Sequence, residues 1–365
     1  MVFGIPVHAA LIYQNVFTHA AGYASMHFRM ATFFLISGFF VSMVASRSSM
    51  RSTIMRRAKL LLIPFMAMLI LVQPITFFII RTHDDGAISF FDFIVQDYDI
   101  RKIEQNSAHL WFLPVLFIFV SLTSVLRGVL RQPPVRRLSD ALAAWPKDVL
   151  IVAFALATGL ATPLLLKAAG VAPLLLNGKF YWMATEMMRY LPFFAVGVAL
   201  DMNRNLLDRF HTISLPALAI GAAFALGWVD PLMAAARIHP NSAEEISRAV
   251  LTAAIVPALL SISRSLFTRH NRAVSALTNA IYSVYLFHYP ILFAMALLIA
   301  PYLGDGVAAF FANITLTFAA AFLLHHFVIA RAPLLRLLFN GRPIREPRAA
   351  AAAAAVATRS PGETR

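Results

Sequence analysis

A histidine stands at position 8, inside an apolar run that extends from Met1 to Val16. An ionisable ring at membrane depth is costly, so it is usually retained for a function. Two interpretations of His8 follow from its residue type. It is either a polar residue hydrogen-bonded to a neighbouring helix, or a neutral imidazole that removes a proton from an attacking hydroxyl group.

A polar stripe at helical spacing is the second candidate site. Tyr282, Tyr285 and His288 recur every three residues. At 100° per residue they spread over only about 120° of a helix surface. Two hydroxyl groups and an imidazole at lipid depth are expected to face the interior of a helix bundle. We therefore predict that this stripe lines a cavity.

His109 and Trp111 open another apolar segment, at 109–130. A tryptophan at such a position is by default an anchor at the membrane–water interface. Aromatic side chains also stack on sugar rings, and His109 is close enough in sequence to contact the same substrate. Both interpretations, interfacial anchor and contact with an acceptor substrate, stay open for this pair.

Three arginines are candidate anion-binding residues. Arg29, at the edge of an apolar segment, either extends its head group to water or points into a cavity and holds an anion. Arg56 and Arg57 precede the apolar segment 59–80. They either belong to the charge bias that orients the protein, or bind the phosphates of a donor while their stems stay in an apolar environment.

The composition excludes a soluble domain. Of 365 residues, 60% are hydrophobic and 13% charged, and the mean hydropathy is +0.73, whereas soluble domains average about 45–50% apolar and about 25% charged residues. The absence of cysteine excludes disulfides and thiolate chemistry. The chain has no phosphate-binding glycine loop, nucleophile elbow or zinc-protease motif, so no metal site is predicted.

The hydropathy pattern predicts an all-α polytopic membrane protein with ten spans, because each apolar stretch can cross a hydrocarbon core of about 30 Å. Ser37 and Gly38 predict a close approach of another helix to the second span. The ten predicted spans are 1–18, 28–45, 59–80, 109–130, 149–169, 183–200, 212–229, 247–266, 277–300 and 307–330.

The distribution of Lys and Arg predicts the orientation. Twenty-two of them belong to alternate loops and the C-terminal tail, and eight to the opposite loops. This bias places both termini in the cytoplasm. The net charge of +14 is therefore an orientation signal, and no nucleic-acid partner is predicted. We expect one membrane domain at 1–345 and a low-complexity cytoplasmic tail at 346–365.

Taken together, these segments resemble the membrane-bound acyltransferase family 3, and within it the members that act in glucan biosynthesis. Each motif alone is weak, but six of them occur in family order. The motifs are Gly-Ile-Pro-Val-His-Ala-Ala-Leu-Ile-Tyr (4–13), Phe-Arg-Met-Ala-Thr-Phe-Phe-Leu-Ile-Ser-Gly-Phe-Phe (28–40), His-Leu-Trp-Phe-Leu (109–113), Tyr-Leu-Pro-Phe-Phe-Ala-Val-Gly (190–197), Tyr-Ser-Val-Tyr-Leu-Phe-His-Tyr-Pro (282–290) and Arg-Ala-Pro-Leu-Leu-Arg-Leu-Leu-Phe-Asn-Gly-Arg-Pro (331–343).

The resemblance implies transfer of an acyl group from a cytoplasmic acyl-CoA to a hydroxyl of an extracytoplasmic glycan, in the inner membrane of a Gram-negative bacterium. For the glucan subgroup it implies succinyl-CoA as co-substrate and a periplasmic glucan as acceptor. The catalytic histidine of the family falls on His8. On this interpretation Arg29, Arg56 and Arg57 bind the donor, and His109, Trp111, Tyr282, Tyr285 and His288 line the acceptor side.

One departure from the family pattern concerns the first helix. The family has an arginine eleven residues before its histidine, and this sequence starts seven residues before His8. We therefore expect a first helix truncated at its N-terminus. Alternatives from the sequence are an O-acetyltransferase of another surface polysaccharide and, from another class, a transporter or exporter of a glycan, which suits a bundle with interrupted helices.

Overall fold

The second helix of this protein packs against helices from both halves of the chain. The structure is a computed structural model that describes residues 4–13, 16–45, 48–169, 181–266 and 272–342. Within these residues all regular secondary structure is helical. Helices suit a bilayer because each one satisfies its own backbone hydrogen bonds.

The helices of the described residues are numbered here in chain order. They are α1 (Gly4–Ile12), α2 (Val16–Ala45), α3 (Met50–Ala67), α4 (Gln73–Asp85), α5 (Phe90–Gln96), α6 (Ile103–Ser107), α7 (Phe112–Leu130), α8 (Pro133–Ala144), α9 (Lys147–Ala169), α10 (Tyr181–Met202), α11 (Arg204–Phe210), α12 (Leu215–Ala225), α13 (Asp230–Ala235), α14 (Pro240–Leu266), α15 (Arg272–Leu303), α16 (Val307–Leu324) and α17 (Pro333–Asn340).

Short irregular turns connect some of these helices without breaking the span. A π-helical turn at Met68–Val72 joins α3 to α4, and another at His325–Ile329 follows α16. A 3₁₀ turn at Ala108–Leu110 leads into α7. Such turns are frequent at functional sites, and two of these three carry a histidine.

Six helical segments of the described residues are long and apolar enough to cross a membrane, or seven if the bent pair of α8 and α9 is one span. The all-helical polytopic membrane fold predicted from the sequence is therefore confirmed. Each of the ten predicted spans overlaps a helix, although four of these helices fall outside the six segments. The low-complexity tail predicted at 346–365 lies outside the described residues.

The predicted boundary between the first two spans is wrong. The first span was placed at 1–18, but α1 ends at Ile12 and α2 already begins at Val16, twelve residues before the predicted start at 28. The side chain of Thr18 in α2 donates to the carbonyl of Tyr13. The polar pair at 14 and 15 is the sequence signal for this boundary, but the apolar residues on both sides outweigh it in the hydropathy.

Two glycines let α2 and α10 pack backbone against backbone. A Cβ atom on Gly38 would lie 2.1 Å from the carbonyl oxygen of Phe194, and a Cβ on Gly197 would lie 1.9 Å from that of Leu35. Both distances are impossible, so only glycine allows this crossing. Small residues commonly set such close approaches in membranes, where no hydrophobic force drives helices together.

Gly38→Ala is expected to lower the free energy of unfolding by about 1–3 kcal/mol, because the new methyl group forces the two backbones apart. The measurement is unfolding of the purified protein in mixed micelles by titration with a denaturing detergent. Gly128→Ala is the matched control. Gly128 is also helical but has nothing within 4 Å of its Cβ position, so alanine there is expected to stabilise the helix by about 1 kcal/mol.

Candidate functional site

Three histidine rings and two tyrosine rings meet inside the bundle. The His8 ring centroid lies 5.3 Å from that of His288, 6.3 Å from that of His109 and 4.9 Å from that of Tyr289. The centroids of His109 and His288 are 5.1 Å apart, and Tyr285 lies 5.2 Å from His288. These five residues, called the histidine cluster below, come from α1, the turn before α7, and α15.

Backbone carbonyls fix the orientation of two of these rings. His109 Nε2 donates to the carbonyl of Leu286 at 3.1 Å, and His288 Nδ1 donates to the carbonyl of Tyr285. In return, the hydroxyl of Tyr285 donates to the carbonyl of His109 at 3.0 Å. Because a carbonyl only accepts, each neutral ring carries its hydrogen on the bonded nitrogen and keeps a lone pair on the other.

Three ring nitrogens of the cluster are buried and have no hydrogen-bond partner among the described residues. They are His8 Nδ1, His109 Nδ1 and His288 Nε2. Leaving a buried polar group unbonded costs about 1–3 kcal/mol, so such groups are usually explained by a reaction or a ligand. Three of them in one cluster indicate a site that is built to accept a proton or a hydrogen bond.

Arg29 of α2 completes the cluster with a positive charge. A Cβ atom on Gly4 would lie 3.4 Å from Arg29 Nη1 and 3.5 Å from His288 Nε2, so both groups converge on the start of α1. Arg29 Nε and Nη1 have no hydrogen-bond partner within the described part of the chain. The guanidinium is therefore available to an anionic group of a substrate.

A hydrogen-bond network anchors α1 and hence His8. The side-chain amide of Asn313, fully buried in α16, donates to the hydroxyl of Tyr13 at 3.0 Å and to the carbonyl of Leu292 at 3.1 Å. The hydroxyl of Thr317 donates to the oxygen of the same side-chain amide at 2.9 Å. The end of α1 is therefore tied to both α15 and α16, and this connection fixes the depth of His8.

A cavity of about 870 Å³ lies beside the cluster, between α2, α3, α7, α14, α15 and α17. Along α2 its lining extends from Phe28 to Val44, which at 1.5 Å per residue is about 24 Å. Along α15 the lining ends with Tyr282, one helical turn before Tyr285 of the histidine cluster. Arg29 lines the cavity and also lies beside the cluster, so the cavity leads to the cluster.

The walls of this cavity are mostly apolar but include three arginines. Arg29 lies at the cluster end, whereas Arg57 of α3 and Arg342 lie where α3 meets the end of α17. Among the described lining residues there is no carboxylate. A long apolar passage with cations at both ends suits an elongated substrate that carries negative charge at its ends.

The structure brings together most of the residues singled out from the sequence. His8, His109, Tyr285 and His288 form the histidine cluster, with Arg29 beside it. Of the remaining candidates, the ones that line the cavity are Ser37, Tyr282 and Arg57. The hydroxyl of Tyr282 donates to the carbonyl of Leu60 at 3.1 Å, which joins α15 to α3.

Two candidates lie elsewhere. Arg56 is exposed and lines a separate surface hollow with Ser49 and Lys59. Trp111 is buried and stacks on Tyr190 with ring centroids 5.7 Å apart. Its ring also lies near those of Phe34, at 6.1 Å, and of the exposed Trp182, at 5.5 Å. Neither residue touches the histidine cluster.

Sequence reasoning missed Tyr289 and Arg342. Tyr289 directly follows His288 and diverges from it by 100° on the helix, so it lies outside the stripe, yet its ring is 4.9 Å from both His8 and His109. Arg342 lies in the last of the six motifs, to which no chemistry was assigned. Only the packing of α17 against α3 shows that it reaches the cavity.

Three acidic residues between the end of α4 and the start of α7 pair with arginines. Arg81 lies 2.6 Å from Asp85 and 3.6 Å from Asp97, and Arg101 binds Asp99 at 2.9 Å. Hydrogen bonds from Arg101 hold the pKa of Asp99 below its usual range. No group of metal-binding side chains is found within the residues that the structure describes.

Comparisons with known proteins show the family of the chain. Residues 1–326 match the family model described as an acyltransferase domain, which confirms the family resemblance. Glucans biosynthesis protein C of Escherichia coli (strain K12) is 25% identical over 358 residues, covering 94% of this chain and 92% of that protein. The protein of the same name from Salmonella gallinarum is 25% identical over 372 residues, with the same coverage. No solved structure matches.

Asn313→Ala is expected to loosen α1, because it removes the bonds to Tyr13 and Leu292. Hydrogen bonds between membrane helices contribute about 0.6 kcal/mol on average and up to about 1.7, so the free energy of unfolding is expected to fall by about 1–2 kcal/mol. Thr315→Ala is the control, since Thr315 is exposed and bonds only the carbonyl of Phe311 in its own helix. Equal effects of both substitutions would contradict the anchoring role of Asn313.

Proposed function

This chain belongs to acyltransferase family 3, and on that premise we propose that it transfers a succinyl group from cytoplasmic succinyl-CoA to hydroxyls of a periplasmic glucan. It acts in the inner membrane of a Gram-negative bacterium, with both termini in the cytoplasm. The membrane acyltransferase activity follows from the family. The glucan is proposed from the name of the relatives, which are 25% identical to this chain.

The observation that carries the proposal is the free ring nitrogen of His8. Its Nδ1 is buried without a partner in the described structure, in a cluster that lies one helical turn beyond a long cavity. A neutral imidazole in that state can take a proton from an alcohol, as a general base requires. We therefore assign the proton-accepting step of acyl transfer to His8.

The cavity beside α2 is the proposed path of the donor. In the predicted orientation its Arg57 end faces the cytoplasm, so the phosphates of CoA bind there and the pantetheine arm extends along the apolar walls. The thioester then reaches the cluster end, near Arg29. Arg56 is exposed, so we assign it to the attraction of the anionic donor towards the membrane surface and not to the cavity itself.

The reaction is written as a direct transfer. The glucan hydroxyl gives its proton to His8 while its oxygen attacks the thioester carbonyl carbon. The tetrahedral intermediate collapses, the carbon–sulfur bond breaks, and the leaving thiolate takes the proton from the imidazolium. An ester and free CoA result. A relay through acyl-histidine is the alternative, and trapping of labelled acyl-enzyme without acceptor distinguishes it.

The acceptor enters from the opposite side of the bundle. His109 holds a lone pair next to His8, and Tyr285 holds the backbone of His109 in place. Trp111 is buried, but its neighbour Trp182 is exposed, so this aromatic pair offers a surface on which a sugar ring can stack. We propose that the pair guides the glucan towards the histidine cluster.

His8→Ala is expected to lower the rate of acyl transfer by about 10²–10⁴-fold, the usual contribution of a general base. The measurement is transfer of a radiolabelled acyl group from acyl-CoA to glucan in inverted membrane vesicles. Matched protein abundance in the membrane is verified first. His326→Ala is the control, because His326 is exposed and lies outside the cluster. Normal transfer by the His8 variant would remove this residue from the mechanism.

Arg29→Gln tests the identity of the acyl group. A succinyl group carries a carboxylate that binds a guanidinium, whereas an acetyl group does not. The kcat/KM of the variant with succinyl-CoA is therefore expected to fall about 10- to 100-fold, because one charge-assisted hydrogen bond is lost. Its kcat/KM with acetyl-CoA is expected to change little. Arg101→Gln, at an exposed position, is the control. Equal losses with both donors, or a wild-type protein that uses acetyl-CoA alone, would overturn succinyl specificity.

A further inference from the structure

The segment that follows the last helix of the described chain places a second arginine beside Arg57 in the lining of the cavity. We propose that Arg342, together with Arg57, forms a two-arginine site that binds the phosphate groups of the acyl donor. This inference rests on the proposed function and extends it, because it assigns donor recognition to the segment that follows α17. Both residues line the same cavity.

The backbone before Arg342 is locked against α3. Gly341 adopts a left-handed conformation with φ of 61°, and a Cβ atom there would lie 2.4 Å from the carbonyl oxygen of Lys59 and 2.6 Å from Cα of Leu60. Only glycine fits both the conformation and the space. Backbone bonds from Gly341 to Leu337 and from Arg342 to Arg336 close the end of α17.

A buried chain of polar side chains fixes the same segment from the other side. Ser283 of α15 donates to Asn340 Oδ1 at 2.8 Å, and His325 Nδ1 lies 2.8 Å from the Ser283 hydroxyl oxygen. All three side chains are buried. Ser283 and Tyr282 both belong to α15. This connection therefore ties the position of Arg342 to the helix that contributes part of the histidine cluster.

The charges at this end of the cavity are unbalanced. Neither Arg57 nor Arg342 forms an ion pair with a carboxylate of the described residues, and the lining there includes Asn340, Ser263 and Thr278 but no acid. Two guanidinium groups that line the same cavity give it a positive charge, which favours the binding of an anion. Guanidinium is also the side-chain group whose geometry best matches phosphate oxygens.

The two arginines differ in their exposure to solvent, and this gives them different roles in binding. Arg57 is partly buried, whereas Arg342 is exposed at the opening. A phosphate-bearing head group therefore meets Arg342 first and Arg57 deeper in the cavity. The thioester end carries none of this charge, so Arg342 is expected to affect the binding of the donor and not the chemical step.

The test compares two donors that carry the same acyl group, acyl-CoA and acyl-pantetheine, of which the second lacks phosphate. Arg342→Gln is expected to raise KM for acyl-CoA about 10- to 100-fold with kcat little changed, and to leave acyl-pantetheine unaffected. Arg342→Lys is expected to recover part of the affinity. Arg331→Gln is the matched control, because Arg331 precedes the same helix but packs over the ring of Phe327.

Two results would overturn the inference. One is a lower kcat at unchanged KM, which would show that the segment acts only through packing; the other is an equal loss with both donors. Binding of CoA alone to the purified protein separates this inference from the proposed function. Weaker CoA binding by the Arg342→Gln variant supports the inference even if the wild type transfers no acyl group, whereas unchanged CoA binding contradicts it.

Discussion

The backbone contact between α2 and α10 is the constraint on which the site depends. Gly38 and Gly197 bring the two helices to a separation that no other residue pair allows. α2 carries Arg29 and one whole wall of the cavity, so its position decides where the positive charge lies. In lipid, where apolar side chains gain nothing by leaving the solvent, such tight packing provides much of the stability of a bundle.

Charged residues inside this bundle fall into two groups that differ in their partners. Arg248 of α14 is almost fully buried, donates to the hydroxyl of Tyr190 at 2.9 Å and binds Glu245 at 3.2 Å. Arg189 binds the same Glu245 at 2.7 Å. This network joins α10 to α14 and uses its carboxylates fully. Arg29, in contrast, has two nitrogens without a hydrogen-bond partner among the described residues, so its charge is not used to join helices as that of Arg248 is.

The sequence was a good guide to the helices and a partial guide to the site. Apolar segments of the required length must be helical in a bilayer, so each predicted span overlaps a helix. The stripe of Tyr282, Tyr285 and His288 was also visible, because helical periodicity alone places the three on one face. The end of α1 at Ile12 was missed, because two polar residues between long apolar segments change the mean hydropathy little.

What the sequence could not provide is the choice of face for residues without a periodic pattern. Arg56 and Arg57 are neighbours and diverge by 100° on α3, so only one of them can line the cavity, and the packing of α17 and α15 selects Arg57. The same argument applies to Tyr289, whose ring contacts that of His8 only because α1 packs against α15. Tertiary contacts between segments distant in sequence decide these cases.

The unbonded nitrogens of the histidine cluster have a stability cost that the surrounding helices must offset. At about 1–3 kcal/mol for each buried group, the three ring nitrogens and Arg29 together oppose folding by an amount comparable to the whole stability of many domains. The contacts around the site help to offset this cost. Asn313 holds α1 and Gly38 holds α2, while the carbonyls of Leu286 and Tyr285 hold two of the rings. Rigid surroundings prevent the polar groups from collapsing onto one another, and this keeps the buried nitrogens of the described structure without a hydrogen-bond partner.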